Sequence, residues 1–141
     1  MALNLTNPLS VSVLVNAPLQ TAWHSFTDPD HITQWNQASP DWHCPAATQD
    51  LRPGGKFSST MAARDGSASF EFEGLWETVE PFSLLEYRMT DGRGVTIRFE
   101  ETTSGVLVTE DFEAENVYPR EFQQQGWQAI LESFRQHTES L

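Results

Sequence analysis

A single cysteine, Cys44, is all the sequence carries, and one thiol cannot close an internal disulfide. Basic residues are scarce as well: 8 Lys and Arg stand against 20 Asp and Glu, for a net charge of -12. Such a surface repels phosphate backbones and anionic lipid head groups. No basic cluster offsets it, so neither nucleic acid nor a membrane is an expected partner. No run approaches the ~18 apolar residues of a membrane span. Met1 to Pro8 lacks the basic start and apolar stretch of a secretory signal. A cytoplasmic protein is the expectation. Internal repeats, low-complexity tracts and linkers are missing too. So is a phosphate-binding loop, because Gly54-Gly55 and Arg93-Gly94 read as turns. His24, His31, His43 and His137 show no metal-ligand spacing, and neither a metal nor another cofactor is expected.

What remains is a chain of 141 residues, expected to form one domain over residues 1–141. A domain of that size buries roughly 70% of the surface its unfolded chain exposes. Nine Phe, five Trp and two Tyr supply the means for a packed core and argue against disorder.

Hydrophobic periodicity sets the element order. Leu9 to Val15 alternates, with Val11, Val13 and Val15 on one face, and reads as a strand. Asn16-Ala17-Pro18 reads as a helix start, with Leu19, Ala22, Trp23 and Phe26 on one helical face. Asp28-Pro29 opens a second short helix that reaches Trp35. Asn36 to Pro45 reads as an irregular loop bounded by prolines, and Ala46 to Leu51 as a short strand. Arg52-Pro53-Gly54-Gly55 is a turn into a partner strand, Lys56 to Arg64.

Ser67 to Val79 is the clearest strand. Phe70, Phe72, Gly74 and Trp76 alternate with Glu71, Glu73, Leu75 and Glu77, as in a sheet with one wet face. Leu84 to Met89 follows, then a strand through Val95, Ile97 and Phe99, then one through Val106, Val108 and Phe112. Tyr118-Pro119 starts a final helix of about 20 residues, ~30 Å long. Phe122, Gly126, Ala129, Ile130, Ser133 and Phe134 mark one of its faces, with Trp127 and Leu131 at the flanks. Gln123, Gln124, Glu132, Arg135 and Gln136 fall on the others. One strand, two short helices, at least five meandering strands and a long helix make an α+β domain. The last helix is the only element long enough to cover the apolar face of the sheet.

At this point the residues resemble a known family. Ala17-Pro18 with Ala22-Trp23 and Trp35 is similar to the start of activator-of-heat-shock-ATPase homologue domains. Arg52-Pro53-Gly54-Gly55-Lys56-Phe57 resembles their paired-glycine hairpin. Gly74, Glu77, Pro81, Leu85 and Tyr87 resemble their central strands. Val108-Thr109-Glu110 with Phe112, then Gly126-Trp127 and Ile130-Leu131, resembles their last strand and helix. The resemblance runs from about Val11 to Phe134. It implies the helix-grip fold of the START-like (SRPBCC) and pollen-allergen superfamily: a curved antiparallel sheet around a long C-terminal helix, with an apolar cavity between them. No catalytic residue comes with it. Ser104-Gly105-Val106-Leu107 and the aromatic Trp35 to Pro45 segment depart from the family pattern.

Cavity-lining candidates follow: Trp35, Phe57, Met61, Phe70, Phe72, Trp76, Tyr87, Met89, Phe99, Glu110, Phe112, Trp127, Ile130 and Phe134. Core packing is the competing reading for most of the aromatics. Glycine in mid-helix costs ~1 kcal/mol relative to alanine. Gly126 therefore reads first as close packing of helix on sheet, and second as room for a ligand. Glu110 shares parity with Val106, Val108 and Phe112, which would carry a carboxylate into the pocket and raise its pKa. His43 and Cys44 read as chance residues of a surface loop rather than a nucleophile pair.

Three functions are weighed. The first is a binding module for a small apolar or aromatic molecule. The second is a cyclase- or hydrolase-like enzyme using Glu110, Tyr87 or His43. The third is a chaperone-ATPase-associated stress protein, which the family name suggests; the resemblance covers one domain of the eukaryotic activators, and a second is not expected here. The protein is expected to be a monomer or homodimer, with tryptophans of the Trp35–Trp42 loop serving a dimer or closing the pocket.

Overall fold

The strands pair as the alternation predicts. In the computed structural model, which describes residues 3–141, the order is β1 (Leu9–Val15), α1 (Leu19–Thr27), α2 (Pro29–Trp35), β2 (Trp42–Gln49), β3 (Lys56–Ala63), β4 (Ser69–Glu80), β5 (Leu84–Met89), β6 (Gly94–Thr102), β7 (Gly105–Phe112) and α3 (Arg120–Glu139). All seven strands join one antiparallel sheet in the order β1-β7-β6-β5-β4-β3-β2. Strands β2 to β7 form a meander, and α1 and α2 carry the chain from β1 at one edge to β2 at the other. This is the helix-grip α+β fold.

Alternation decides which side is core. Val11, Val13 and Val15 of β1, Val95, Ile97 and Phe99 of β6, and Val106, Val108 and Phe112 of β7 are all buried. The opposite face of β4 is wet. There Glu71 accepts from Ser58 Oγ at 2.8 Å and Thr60 Oγ1 at 2.7 Å, Lys56 pairs with Glu73 at 2.7 Å, and Arg88 pairs with Glu77 at 3.0 Å. Exposed pairs of this kind add little stability. They set the outward register of the strand.

Two glycines do different work in the β2–β3 turn. Gly54 has φ +84°, which a side chain disfavours. A Cβ on Gly55 would lie 2.0 Å from the Asp50 carbonyl oxygen. Gly54 N–H then donates to Trp76 O at 2.8 Å, and Trp76 N–H donates to Gly55 O at 2.9 Å, so the turn is laced to β4.

The helices are tied together at one end. Ser25 and Thr138 hydroxyls meet at 2.8 Å in the core, linking α1 to α3. Trp35 Nε1–H donates to Ser25 O at 2.8 Å, which holds α2. His31 Nδ1 and His137 Nε2 lie 2.9 Å apart. Phe134 fills the junction, edge-on to Phe26 and Trp35 at 5.1 and 5.3 Å between centroids.

Helix α3 runs along β1, an edge strand. Gln124 and Gln128 side-chain amides donate to Ser10 O and Ser12 O, each at 3.0 Å. Four helical residues advance ~6 Å and two strand residues ~6.6 Å, so the two spacings match.

Three expectations need correction. The segment Asn36 to Pro45 is not all loop, because β2 begins at Trp42 and includes Pro45. Proline is tolerated there because β2 is an edge strand whose register shifts between His43 and Ala46. Cys44 is accordingly a buried core residue rather than a loop thiol, and burial pushes its pKa up. The apolar face of α3 is also rotated from the predicted one: Gln123, Leu131, Phe134 and Thr138 are buried, while Phe122 is exposed. Trp35 is buried and Trp42 half-buried, so Trp35 is unavailable as a dimer contact.

Gly74 offers a direct test of this packing. A Cβ there would lie 2.7 Å from the Phe57 ring and 2.8 Å from Arg88 O. Gly74→Ala should cost about 1–3 kcal/mol in urea unfolding, because neither ring nor backbone can retreat cheaply. A change within about 0.5 kcal/mol would contradict the contact.

Candidate functional site

Beneath α3 the sheet and helices leave a cavity of about 380 Å³, within the ~300–1,000 Å³ usual for small-molecule pockets. Phe57, Ser59 and Met61 of β3, Phe70, Phe72 and Trp76 of β4, Tyr87 of β5, Ile97 of β6 and Glu110 of β7 form its floor. Gly126, Trp127 and Ile130 of α3 form the roof, and Phe26, Ile32 and Trp35 close one end. At the other end Phe70, Tyr118 and Phe122 line the cavity while 54%, 57% and 59% exposed, which marks the mouth.

Aromatic packing makes the floor rigid. Phe57 lies 4.7 Å from Tyr87 and 5.0 Å from Trp76, in the tilted and edge-on arrangements that ring quadrupoles favour. Trp76 Nε1–H donates to Gln49 Oε1 at 2.7 Å, and Gln49 Nε2–H donates to Thr27 O at 3.1 Å. Trp127 stacks on Phe112 at 4.0 Å, pinning the middle of α3 to β7.

Ten of the fourteen sequence candidates line the cavity: Trp35, Phe57, Met61, Phe70, Phe72, Trp76, Tyr87, Glu110, Trp127 and Ile130. Met89, Phe99, Phe112 and Phe134 are buried core residues outside its lining. Phe99 packs edge-on to Trp23 and Phe26, at 5.1 and 5.4 Å. His43 lies outside the lining as well.

Sequence reasoning missed the polar lining residues Asn36, Gln49, Ser59, Arg93, Glu115 and Gln123, and among the apolar ones Phe26, Ile32, Ala38, Ile97, Tyr118 and Phe122. Gln123 was within reach, since it precedes Trp127 and Ile130 by 4 and 7 positions on one helical face. Its role is to hold the loop before α3: its amide accepts from Glu115 N–H at 2.9 Å and donates to Tyr118 O at 2.7 Å. The close-packing reading of Gly126 is not what the structure contains. A Cβ built there meets no atom within 4 Å.

Two of the polar groups, Glu110 and Tyr87, come from strands of the floor. Glu110 is 8% exposed, and no described residue hydrogen-bonds its carboxyl group. Burial alone pushes its pKa to about 8, so at neutral pH it is mostly a carboxylic acid. The Tyr87 hydroxyl is also without a hydrogen-bond partner among the described residues. Burial first, then the nearby Glu110 charge, raises its pKa well above the usual value. Arg93 lines the cavity with its Nε–H donated to Asp91 at 2.7 Å. Among the described residues no cluster of three or more His, Cys, Asp or Glu could hold a metal ion.

A mainly apolar cavity, open at one end, between a curled antiparallel sheet and a long C-terminal helix is the arrangement of a helix-grip protein. Residues 16–139 match the family described as Activator of Hsp90 ATPase homolog 1-like protein, and the chain belongs to that family. The solution structure of an AHSA1-like protein from Aeromonas hydrophila is 39% identical, with TM-score 0.89, over 94% of this chain and 92% of that one. A protein from Cytophaga hutchinsonii is 47% identical, with TM-score 0.82, over 96% and 94%. A protein from Nitrosomonas europaea shares the fold at 20% identity, with TM-score 0.81, over 94% of each chain. No match was found among curated proteins. No helix among the described residues is long and apolar enough to cross a membrane.

Glu110 makes stability depend on pH. Below about 4.5 both folded and unfolded chains hold its proton. Between about 4.5 and 8 only the folded chain does, so this group's contribution to stability falls as pH rises, and above 8 the fold bears the full cost. Glu110→Gln removes the titration. The variant's stability relative to wild type should improve by roughly 2–5 kcal/mol from about pH 4 to about pH 9, in urea unfolding. Parallel pH profiles for the two proteins would show that Glu110 does not hold its proton in the fold.

Proposed function

We propose that the protein is a binding module whose ligand is a small, uncharged apolar or aromatic molecule held in the cavity. One observation carries the reading. Gly126 stands at mid-helix, where alanine would be better by ~1 kcal/mol, yet no neighbour demands the missing side chain. The space that glycine leaves belongs to the cavity. Apolar walls with a few polar groups are the usual character of such sites. A cytoplasmic setting and a monomeric or homodimeric state are part of the same proposal. The net charge of -12 speaks against nucleic acid or an anionic membrane as partner.

A second reading, an enzyme of cyclase or hydrolase type, has in its favour that Glu110 and Tyr87 both line the cavity. Hydrolysis of an activated aromatic ester, lost in Glu110→Gln, would be its signature, and no turnover would end it. The family description names a chaperone ATPase activator. That role rests on the name alone, and absence of ATPase stimulation in a direct assay would end it.

Naphthalene titrated into isotopically labelled protein should shift the Trp127, Gly126 and Tyr87 resonances together. Gly126→Leu, which places a side chain in the cavity, should abolish those shifts while the protein stays folded. Gly126→Ala should raise stability by up to ~1 kcal/mol. Unchanged naphthalene shifts in Gly126→Leu would place the binding elsewhere.

A further inference from the structure

Among the polar residues that line the mainly apolar cavity, Glu110 and Tyr87 are two whose side chains are without hydrogen-bond partners among the described residues. Both residues line the same cavity, so a ligand that hydrogen-bonds them takes a place that water would otherwise fill. We infer that the cavity is built for an uncharged aromatic or alicyclic ligand presenting a carbonyl oxygen to the Glu110 carboxyl group, with the Tyr87 hydroxyl in the same lining as a further donor. The inference rests on the proposed binding role and names the chemistry of its ligand.

Charge and proton state favour an acceptor over the alternatives. The charged or titratable residues lining the cavity are Tyr87 of β5, Arg93 of the β5–β6 turn, Glu110 of β7, and Glu115 and Tyr118 of the loop before α3. Helices α2 and α3 contribute no charged residue to the lining. A neutral carboxyl group and a phenol each offer an O–H, and a carbonyl oxygen has two lone pairs to receive them. An anionic ligand would look to Arg93, but Asp91 at 2.7 Å already offsets that charge. An ammonium ligand would have to ionise Glu110 and shed its own water, and burying such a pair returns little net energy. The neutral acceptor needs neither step.

Four naphthalenes of similar size separate these cases: 2-acetylnaphthalene, 2-ethylnaphthalene, 2-naphthoate and 2-(aminomethyl)naphthalene, each followed by NMR titration of the full chain. The ketone should bind about tenfold more tightly than the ethyl compound near neutral pH, the factor that one well-placed hydrogen bond gives. That advantage should shrink above pH 8, as Glu110 ionises. In Glu110→Gln, which keeps an N–H donor, the ketone preference should persist and lose its dependence on pH. The carbonyl stretch of the bound ketone should shift to lower frequency in wild type.

Equal affinity for ketone and hydrocarbon would overturn the inference and leave the binding reading standing. Tighter binding of the naphthoate or the amine would overturn it in favour of an ion-pairing site. Failure of all four compounds to bind would overturn both.

Discussion

The seat of α3 on the β1 edge is the contact on which the rest depends. Edge strands present unpaired backbone groups that proteins must cover. Here Gln124 and Gln128 reach two carbonyls of β1 with matched spacing. At the far end Ser25, Thr138 and Phe134 lock the helix to α1 and α2. Held along one edge and at its C-terminal end, the helix cannot also settle into the middle of the curled sheet. Its N-terminal half spans the remaining concavity, with the stack of Trp127 on Phe112 as a strut. The cavity is the volume left over.

The same geometry sorts the glycines and the acids. Gly74 is a contact point, where the Phe57 ring has taken the place of a side chain. Gly126 faces the cavity across from that ring's neighbours and has no such occupant. Glu71, Glu73 and Glu77 face solvent or find donors and cations on neighbouring strands. Glu110 has the opposite parity, and its only available response to burial is to hold its proton. A fold selected only for stability would have an aliphatic residue there. The carboxyl group is thus the feature of the cavity wall that packing does not account for.

Much of this was legible in order along the chain. Period-two alternation placed the strands through Phe70 to Trp76, Val95 to Phe99 and Val106 to Phe112, where a one-residue slip would carry the apolar set to the other face, while the preceding turn marked Leu84 to Met89. Turns at Gly54, Gly92 and Gly105 were marked by residues that accept positive φ. Legibility failed where two rules collide. Pro45 reads as loop, yet an edge strand with a register shift accommodates it. Gln123 reads as surface, yet its amide satisfies backbone groups in the loop before α3. In the site, parity found Glu110 and aromatic character found Tyr87, while Arg93 and Glu115 entered from loops that no periodicity describes.

By itself, the order of residues determined the element types, the inward faces of the strands and the position of one acid among them, since these depend only on backbone period and side-chain polarity. Whether the inward aromatics close on one another or enclose a space was decided by the tertiary structure. That outcome depends on where the last helix is anchored, and its anchors are partners more than a hundred residues apart in the chain. Local pattern carries no information about such distances. The division of Phe72 and Trp127 into the lining, and of Phe99 and Phe134 into solid core, is the consequence.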